Sequence, residues 1–380
     1  MANRSLLGLW VSGITLALVA ACSTSPSDQT GTHGLPESLE LLSIQDLSGI
    51  AGTPGTATKE GMEVAVEEIN ATGYLGSTKL QIKYEDSASN PEPGASLISR
   101  AVQAKYPLVF GSVLSTTAIA QAPIAQRGKL PTIFTQAGSD GVLVGEYIYR
   151  ATPLQTTLLP LAGAYIQKQG WTKLGLMYNT NNPTAVAGAE EYQRLGSQFG
   201  YSFVDVEKTS STQTDLTTQV SQIVAAKPDA VIIWVVAAQN VTAVTSLRQA
   251  GYTGPIIAQV GVAGGVLAPL GDKANGILWA TDFTASQTNP EAVAFVTAYE
   301  KKYGKKPSNF AAEGYDAVWF AARALKKAQS TDRTAVLTAL QAVAAEGFNG
   351  ALGAISFDKN QEITSGFLVE HWNGEERLLS

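Results

Sequence analysis

The side chains that enzymes use for nucleophilic and metal chemistry are scarce in this 380-residue chain, which has two histidines, His33 and His371, and one cysteine, Cys22. Two histidines so far apart give almost no material for a Ser-His-Asp triad or a histidine zinc site. No glycines have the G-x-G spacing of a dinucleotide-binding loop, and neither Gly128-Lys129 nor Gly304-Lys305 continues into the Ser or Thr of a phosphate loop. The sequence therefore predicts no catalytic residues, no metal site and no cofactor.

A different chemistry, the binding of an anion or a polar head group, is indicated at Ser115-Thr116-Thr117. These residues are predicted to begin a helix, where free backbone N–H groups and a hydroxyl favour negative charge. The alternative is that Ser115 only caps its own helix.

Cys22 directly follows an apolar run, and its context is that of a secretion signal. Arg4 supplies the positive charge, residues 6–19 the apolar segment, and Val19-Ala20-Ala21 the small residues before a cleavage site. With Cys22 next, the tetrad resembles a bacterial lipobox, in which the cysteine receives a lipid and becomes the mature N-terminus. The alternative is an ordinary secretory signal followed by an unpaired thiol. We expect a signal peptide at 1–21 and a flexible tether at 22–38.

Composition limits the class of protein. With 45% hydrophobic and 15% charged residues the chain is in the globular range, and 380 residues suffice for two domains. The formal net charge is −6, which gives no electrostatic reason to bind nucleic acid.

Short apolar runs alternate with longer segments of helical period, which predicts an α/β fold with parallel sheets. Helices are expected over residues 61–70 and from Pro91, Pro183 and Pro290 onward. The second half repeats the pattern of the first, so two similar α/β lobes are predicted. Strands are expected near residues 41–44, 80–84, 108–110, 132–134, 174–178, 203–206, 230–234 and 256–258, with strand-like segments at 354–357 and 367–372.

Several segments in order along the chain resemble type I periplasmic binding proteins of the leucine/isoleucine/valine-binding protein family, the solute receptors of branched-chain amino acid ABC importers. They are Gln45-Asp46-Leu47-Ser48-Gly49, residues 61–73, Tyr84-Glu85-Asp86, Phe110-Gly111-Ser112, Ser115, Leu130-Pro131-Thr132, Tyr149-Arg150 and Gly314-Tyr315-Asp316-Ala317. The resemblance covers nearly all of residues 39–372.

The resemblance implies two Rossmann-like lobes joined by three crossovers, with a ligand held between them by hinge closure. We expect the first lobe at 39–153 and 284–353 and the second at 154–283 and 354–380. It also implies an ABC permease as partner, an extracytoplasmic location at the membrane through the lipid anchor, and a monomer. The alternative is a sensor lipoprotein that uses the same clamp to signal to a membrane partner.

Site residues follow from the resemblance. Ser115, with Thr116, is expected to hold a ligand carboxylate, and the loop Ala137-Gly138-Ser139 is expected to contribute backbone and hydroxyl groups. Phe310 matches an aromatic wall of the pocket, although such a residue is as often part of the core. Tyr315 and Asp316 look more like packing residues of a helix and hinge.

The departures from the family pattern concern the second lobe. Where amino-acid-binding members have acidic side chains for the ligand ammonium, this chain has Gln155 and Val260, and the aromatic positions are Pro183 and Ala237. A buried ammonium without a carboxylate partner would be costly. We therefore expect a ligand with a carboxylate or amide but no α-amino group. Its apolar body would rest on Pro183, Ala237, Val260 and Phe310, and an amide would be held by Gln155, Asn179, Gln239 and Gln259. The alternative is an ordinary amino acid, bound through Asp282 or another acid.

Overall fold

The computed structural model describes residues 34–235, 239–263, 265–358, 363 and 366–379. The predicted signal peptide, the predicted lipidation site Cys22 and the predicted pocket residue Ala237 lie outside the described residues. No helix within these ranges is long and apolar enough to cross a bilayer.

The first lobe is built on a five-stranded, fully parallel sheet. Its strands are β1 (Ser38–Gln45), β2 (Lys79–Asp86), β3 (Val109–Gly111), β4 (Thr132–Phe134) and β5 (Ile148–Arg150), in the order β2-β1-β3-β4-β5. Three helices connect the first four strands: α1 (Gly52–Thr72), α2 (Pro91–Gln103) and α3 (Ser115–Arg127). All residues of β3, β4 and β5 are buried, which is expected for parallel strands covered on both faces.

The second lobe repeats this alternation. Its elements are α4 (Gln155–Gln169), β6 (Lys173–Asn179), α5 (Pro183–Phe199), β7 (Ser202–Thr209), α6 (Thr217–Ala225), β8 (Ala230–Trp234), α7 (Gln239–Gln249), β9 (Ile256–Ala258) and β10 (Ile277–Thr281). Helix α5 begins where predicted, because Pro183 suits the first helical position and the Asn182 side chain accepts a hydrogen bond from Ala185 N at 2.9 Å.

The chain then returns to the first lobe and finishes in the second. The returning elements are α8 (Pro290–Tyr303), α9 (Asn309–Ala328), α10 (Arg333–Glu346) and the hairpin of β11 (Phe348–Gly350) and β12 (Gly353–Ile355). The last strands, β13 (Phe367–Trp372) and β14 (Glu375–Leu378), add antiparallel to the second sheet, whose order is β14-β13-β10-β9-β8-β6-β7. Among the described residues, the chain therefore changes sheets after β5, after β10 and after β12.

Close contact of α1 with α9 fixes the position of α9 in the first lobe. A Cβ atom on Gly61 would overlap the carbonyl oxygen of Ala311, and one on Gly314 would overlap that of Thr58. Glycine at both points lets the two backbones touch. This contact places the amino end of α9, with Phe310, at the boundary between the lobes.

The predicted α/β fold with two lobes and parallel sheets is confirmed, and each of the eight predicted strands coincides with an observed strand. The helix predicted over 61–70 is longer, since α1 starts at Gly52. Strands β5, β10, β11 and β14 were not predicted. The strand-like segment 354–357 forms β12 only in part, and Ile355 packs in the apolar core of the first lobe. The exact domain bounds remain a prediction.

Candidate functional site

A cavity with about 490 Å³ of empty volume, its open mouth included, lies where the two sheets face each other. Its walls come from loops and helix starts at the carboxyl ends of strands, where α/β proteins bind ligands. Both lobes contribute. The lining residues are Ala51, Pro54, Val113, Leu114, Ser115, Gln136, Gln155, Asn182, Thr184, Gln259, Val260, Gly261 and Phe310.

The lobes touch directly across this cavity. Ser115 is the first residue of α3, and its Oγ lies 2.9 Å from Oγ1 of Thr184 in the first turn of α5. The indole N–H of Trp234 donates to the carbonyl oxygen of Thr184 at 3.2 Å, which holds this turn against the second sheet. Both hydroxyls are buried, so the contact closes one side of the cleft.

Carboxamide side chains form the polar part of the wall. Gln259 Nε2 donates to Gln155 Oε1 at 2.8 Å, and Asn309 Nδ2 donates to Gln136 Oε1 at 2.9 Å. With the amide of Gln136 turned over, its oxygen instead accepts from Gln155 Nε2 at 2.9 Å. Gly138 abuts the same group, because a Cβ atom there would lie 2.8 Å from Gln155 Cγ.

Two buried carboxyl groups lie at the crossovers behind these amides. The Thr152 hydroxyl, just after β5, is 3.1 Å from Asp282 Oδ2 and 3.3 Å from Glu313 Oε1. Burial raises the pKa of Asp282 to about 6, and burial beside Asp282 raises the pKa of Glu313 well above its ordinary value. Neither acid lines the cavity. Both shifts favour the protonated forms of these two acids at the crossovers.

Five of the predicted site residues line the cavity together: Ser115, Gln155, Gln259, Val260 and Phe310. Phe310 also packs with the apolar core of the second lobe, so the two roles considered for it coexist. Whether these residues contact a ligand stays a prediction.

The other predicted site residues lie beside the cavity. Thr116 is half-buried next to Ser115, and Pro183 is exposed between two lining residues. The carbonyl oxygens of Ala137 and Ser139 accept hydrogen bonds from Arg150 Nη1 at 3.0 and 2.9 Å. Arg150 thus fixes the loop that includes Gly138.

Asn179 and Gln239, which were also expected to hold a ligand amide, form hydrogen bonds away from the cavity. Asn179 Nδ2 donates to Gln239 Oε1 at 2.6 Å, and Gln239 Nε2 donates to the carbonyl oxygens of Ser210 and Gln213. These amides stabilise the loop after β7 and do not line the cavity.

Asp316 accepts hydrogen bonds from the backbone of Ala351 and Leu352, at 2.9 and 2.8 Å, and Tyr315 donates to Glu68. Both are the packing contacts expected for Tyr315 and Asp316.

Several lining residues were not predicted from the sequence, among them Gln136, Asn182 and Thr184. The helix start at Asn182-Pro183 was recognised, and the position of Thr184 in its first turn, like that of Ser115 in the first turn of α3, was the signal that could have identified it. The lining residues that the structure describes carry no formally charged side chain. In the part of the chain that the structure describes, no three His, Cys, Asp or Glu side chains group as metal ligands.

Comparison with known proteins agrees with this architecture. A family profile described as periplasmic binding protein matches residues 40–375. The Leu/Ile/Val-binding protein homolog 7 of Brucella abortus (strain 2308) is 26% identical over 357 residues, covering 88% of each chain. A leucine-, isoleucine-, valine-, threonine- and alanine-binding protein of Pseudomonas aeruginosa is 22% identical, covering 89% of this chain and 90% of its own.

Solved structures share the fold. The branched-chain amino acid transporter substrate-binding protein of Streptococcus pneumoniae, in complex with isoleucine, superposes with a TM-score of 0.83 at 24% identity, covering 90% of this chain and 99% of its own. A solute-binding protein of R. palustris in complex with benzoate also gives 0.83, at 21% identity, covering 90% and 95%.

Two α/β lobes that close on a cleft at the carboxyl ends of their strands are the architecture of a two-lobed solute receptor. The profile match spans most of the sequence. The chain therefore belongs to the type I periplasmic binding proteins of the leucine/isoleucine/valine-binding family. This family consists of solute-binding transport proteins that act outside the cytoplasm, and not of enzymes.

Proposed function

We propose that this protein is the lipid-anchored receptor of an ABC importer of the branched-chain amino acid type. It captures a small carboxylate- or amide-bearing ligand between its lobes and delivers it to the permease. The observation that carries the proposal is the contact of Ser115 with Thr184 across a cavity walled by both lobes. Closing on a solute by hinge motion requires ligand groups on both lobes at one cleft.

The ligand proposed here has no α-amino group. Gln155 and Val260, which replace acids of the family pattern, line the cavity. The buried acids Asp282 and Glu313 lie behind it, both within hydrogen-bond distance of the Thr152 hydroxyl. An ammonium desolvated against amides alone would lose hydration without gaining a counter-charge. The similar solved structures contain isoleucine or benzoate. These two compounds represent ligands with and without an α-amino group, the two classes that the test must separate.

A thermal-shift screen of the purified protein tests this function. One set contains the standard amino acids, and the other contains carboxylates and amides without an α-amine. A ligand at about 100 times its dissociation constant adds roughly 2.7 kcal/mol of stability. Stabilisation by the second set supports the proposal. Stabilisation by leucine or valine, confirmed by calorimetry, makes the protein a receptor for an ordinary amino acid instead.

The anchor is proposed on Cys22 and its preceding tetrad. Cells expressing the precursor are labelled with a radioactive fatty acid, and the protein is isolated. We expect label on the wild-type chain and none on Cys22→Ser, with Ser23→Ala as the matched control. Equal labelling of Cys22→Ser would show that the thiol is not the attachment site.

A further inference from the structure

A carboxyl group of the protein itself occupies the start of helix α3. Asp46 follows β1 directly, and its side chain has no exposed surface. Its Oδ2 accepts from the backbone N–H of Leu114 at 2.9 Å, and its Oδ1 accepts from Ser87 Oγ at 2.5 Å. Leu114 immediately precedes Ser115, the residue expected to meet the polar end of a ligand. Burial raises the pKa of Asp46, while its hydrogen bonds from Ser87 and from the backbone of Leu114 at the helix start stabilise the ionised form.

A second carboxylate lies near Asp46, and no described lining residue supplies a positive charge. Asp86 ends the neighbouring strand β2 and accepts from the backbone of Leu47 and Ser48 at 2.9 and 3.3 Å. Among the described residues, the thirteen that line the cavity include no Lys, Arg or His. The buried cation Arg150 directs Nη1 at the carbonyl oxygens of Ala137 and Ser139. A ligand carboxylate on Ser115 would thus be repelled by Asp46 in a desolvated setting, where charges interact strongly.

The lining suits a ligand that has donors and acceptors but no net charge. Its polar side chains are the carboxamides of Gln136, Gln155, Asn182 and Gln259 and the hydroxyls of Ser115 and Thr184. A carboxamide offers both a donor and an acceptor, so it can satisfy a ligand amide on both sides. The remaining walls are apolar side chains and the backbone of Gly261, which fit a compact hydrocarbon body.

We propose that Asp46 makes this cleft selective for an uncharged ligand, a small primary amide or similar neutral polar compound with a compact apolar body, and against the matching carboxylate. The inference rests on the proposed function, and it narrows the proposed ligand from carboxylates and amides to uncharged amides and similar compounds. Asp46 acts through the electrostatic field at Ser115 and not by contact with the ligand.

Matched ligand pairs test the inference by isothermal titration calorimetry on the full-length protein in mild detergent. The pairs are benzamide with benzoate and isovaleramide with isovalerate, together with leucine and the straight-chain amides and acids of similar size. We expect the amide of at least one pair to bind about ten times more tightly than its acid. An acid that binds as tightly as its amide, or leucine as the best ligand, overturns the inference. Binding of an acid leaves the proposed function standing, whereas binding of no compound in the panel overturns both.

The variant Asp46→Asn assigns the selectivity to this side chain. Asparagine keeps an acceptor for Leu114 N and the shape of the group but removes the charge. We expect affinity for the acid to rise about tenfold and affinity for the amide to change less than about threefold. The control Asp229→Asn removes a carboxylate that accepts backbone N–H groups of Thr172 and Lys173 at the opposite end of the second sheet. Unchanged selectivity in a folded Asp46→Asn would refute the role of Asp46, and the wild-type pairs decide the ligand class if that variant does not fold.

Discussion

The hydroxyl oxygens of Ser115 and Thr184 lie 2.9 Å apart, and each belongs to the first turn of a helix in a different lobe. Both helices begin at the carboxyl end of a strand, α3 after the third strand of the first sheet in chain order and α5 after the first strand of the second sheet. Their contact is a hydrogen bond between the two lobes at the cavity, so a change in the relative position of the lobes would break it.

Removing this contact should weaken ligand capture without unfolding either lobe. We expect Thr184→Val to lower the affinity for the preferred ligand by about 1 kcal/mol, the usual contribution of one hydrogen bond. In a double-mutant cycle, Ser115→Ala and Thr184→Val should show a coupling energy of at least about 0.5 kcal/mol. Thr338→Val, on the exposed face of α10, is the control and should leave the affinity unchanged. Strictly additive losses, measured by calorimetry, would mean that the two hydroxyls act independently.

Gly138 should be required for ligand binding because of the space it leaves for Gln155. A methyl group at Gly138 would lie 2.8 Å from Gln155 Cγ and would push that side chain away from Gln259. We expect Gly138→Ala to weaken binding about tenfold while unfolding stays cooperative. Gly141→Ala is a matched control in the same loop, since its added methyl would lie 3.3 Å from the flexible end of Ile119. If both variants bind like the wild type, the position of Gln155 does not matter for the ligand.

The paired glycines between α1 and α9 should govern the stability of the first lobe. An alanine at Gly61 or Gly314 would overlap a backbone carbonyl of the facing helix, which cannot move like a side chain. We expect either substitution to destabilise the protein by about 3 kcal/mol or more, exceeding the gain in helix propensity of about 1 kcal/mol. Urea unfolding measures the change, with Thr56→Ala on the exposed side of α1 as control. Wild-type stability of Gly61→Ala would show that the helices can separate freely.

Strand positions were predictable because buried parallel strands are short, continuous apolar runs bounded by turn residues, as at Ala230–Trp234. Helix starts were predictable where Asn-Pro marks the first turn, as at Pro91 and Pro183. Strand β10, Ile277–Thr281, was missed although the turn signal Asn275-Gly276 directly precedes it, because its five residues contain a Trp and a Thr and run into an acid rather than forming a purely aliphatic run.

Site residues that depart from the family pattern could be found from the sequence, whereas residues that act through contacts between distant segments could not. Gln155 and Val260 were located because they stand where the family pattern has acids, Gln259 was named as a possible partner of a ligand amide, and all three line the cavity. Thr184 and Asp46 were missed as site residues because their importance depends on contacts between distant segments, with Ser115 and Leu114 respectively. Such contacts are set by the closure of two lobes and leave no local periodicity in the sequence.

The buried carboxyl pair should make stability fall as the pH rises. The native state holds protons on Asp282 and Glu313 more tightly than the unfolded chain, since burial raises the pKa of Asp282 from 3.8 to about 6 and raises that of Glu313 well above its ordinary value. The stability that the bound protons provide is therefore complete below about pH 4 and is lost as the pH rises through about 6 and beyond.

Glu313→Gln isolates this effect, because glutamine mimics the protonated acid and cannot release a proton when the chain unfolds. We expect the variant to gain stability relative to the wild type as the pH rises from about 4 to about 7, by at most about 1.4 kcal/mol per pH unit. Urea unfolding at several pH values measures the difference. Glu300→Gln, at an exposed position, is the control and should show no such trend. A stability difference between Glu313→Gln and the wild type that does not change with pH would mean that Glu313 is ionised in the native protein, and that the hinge holds no proton there.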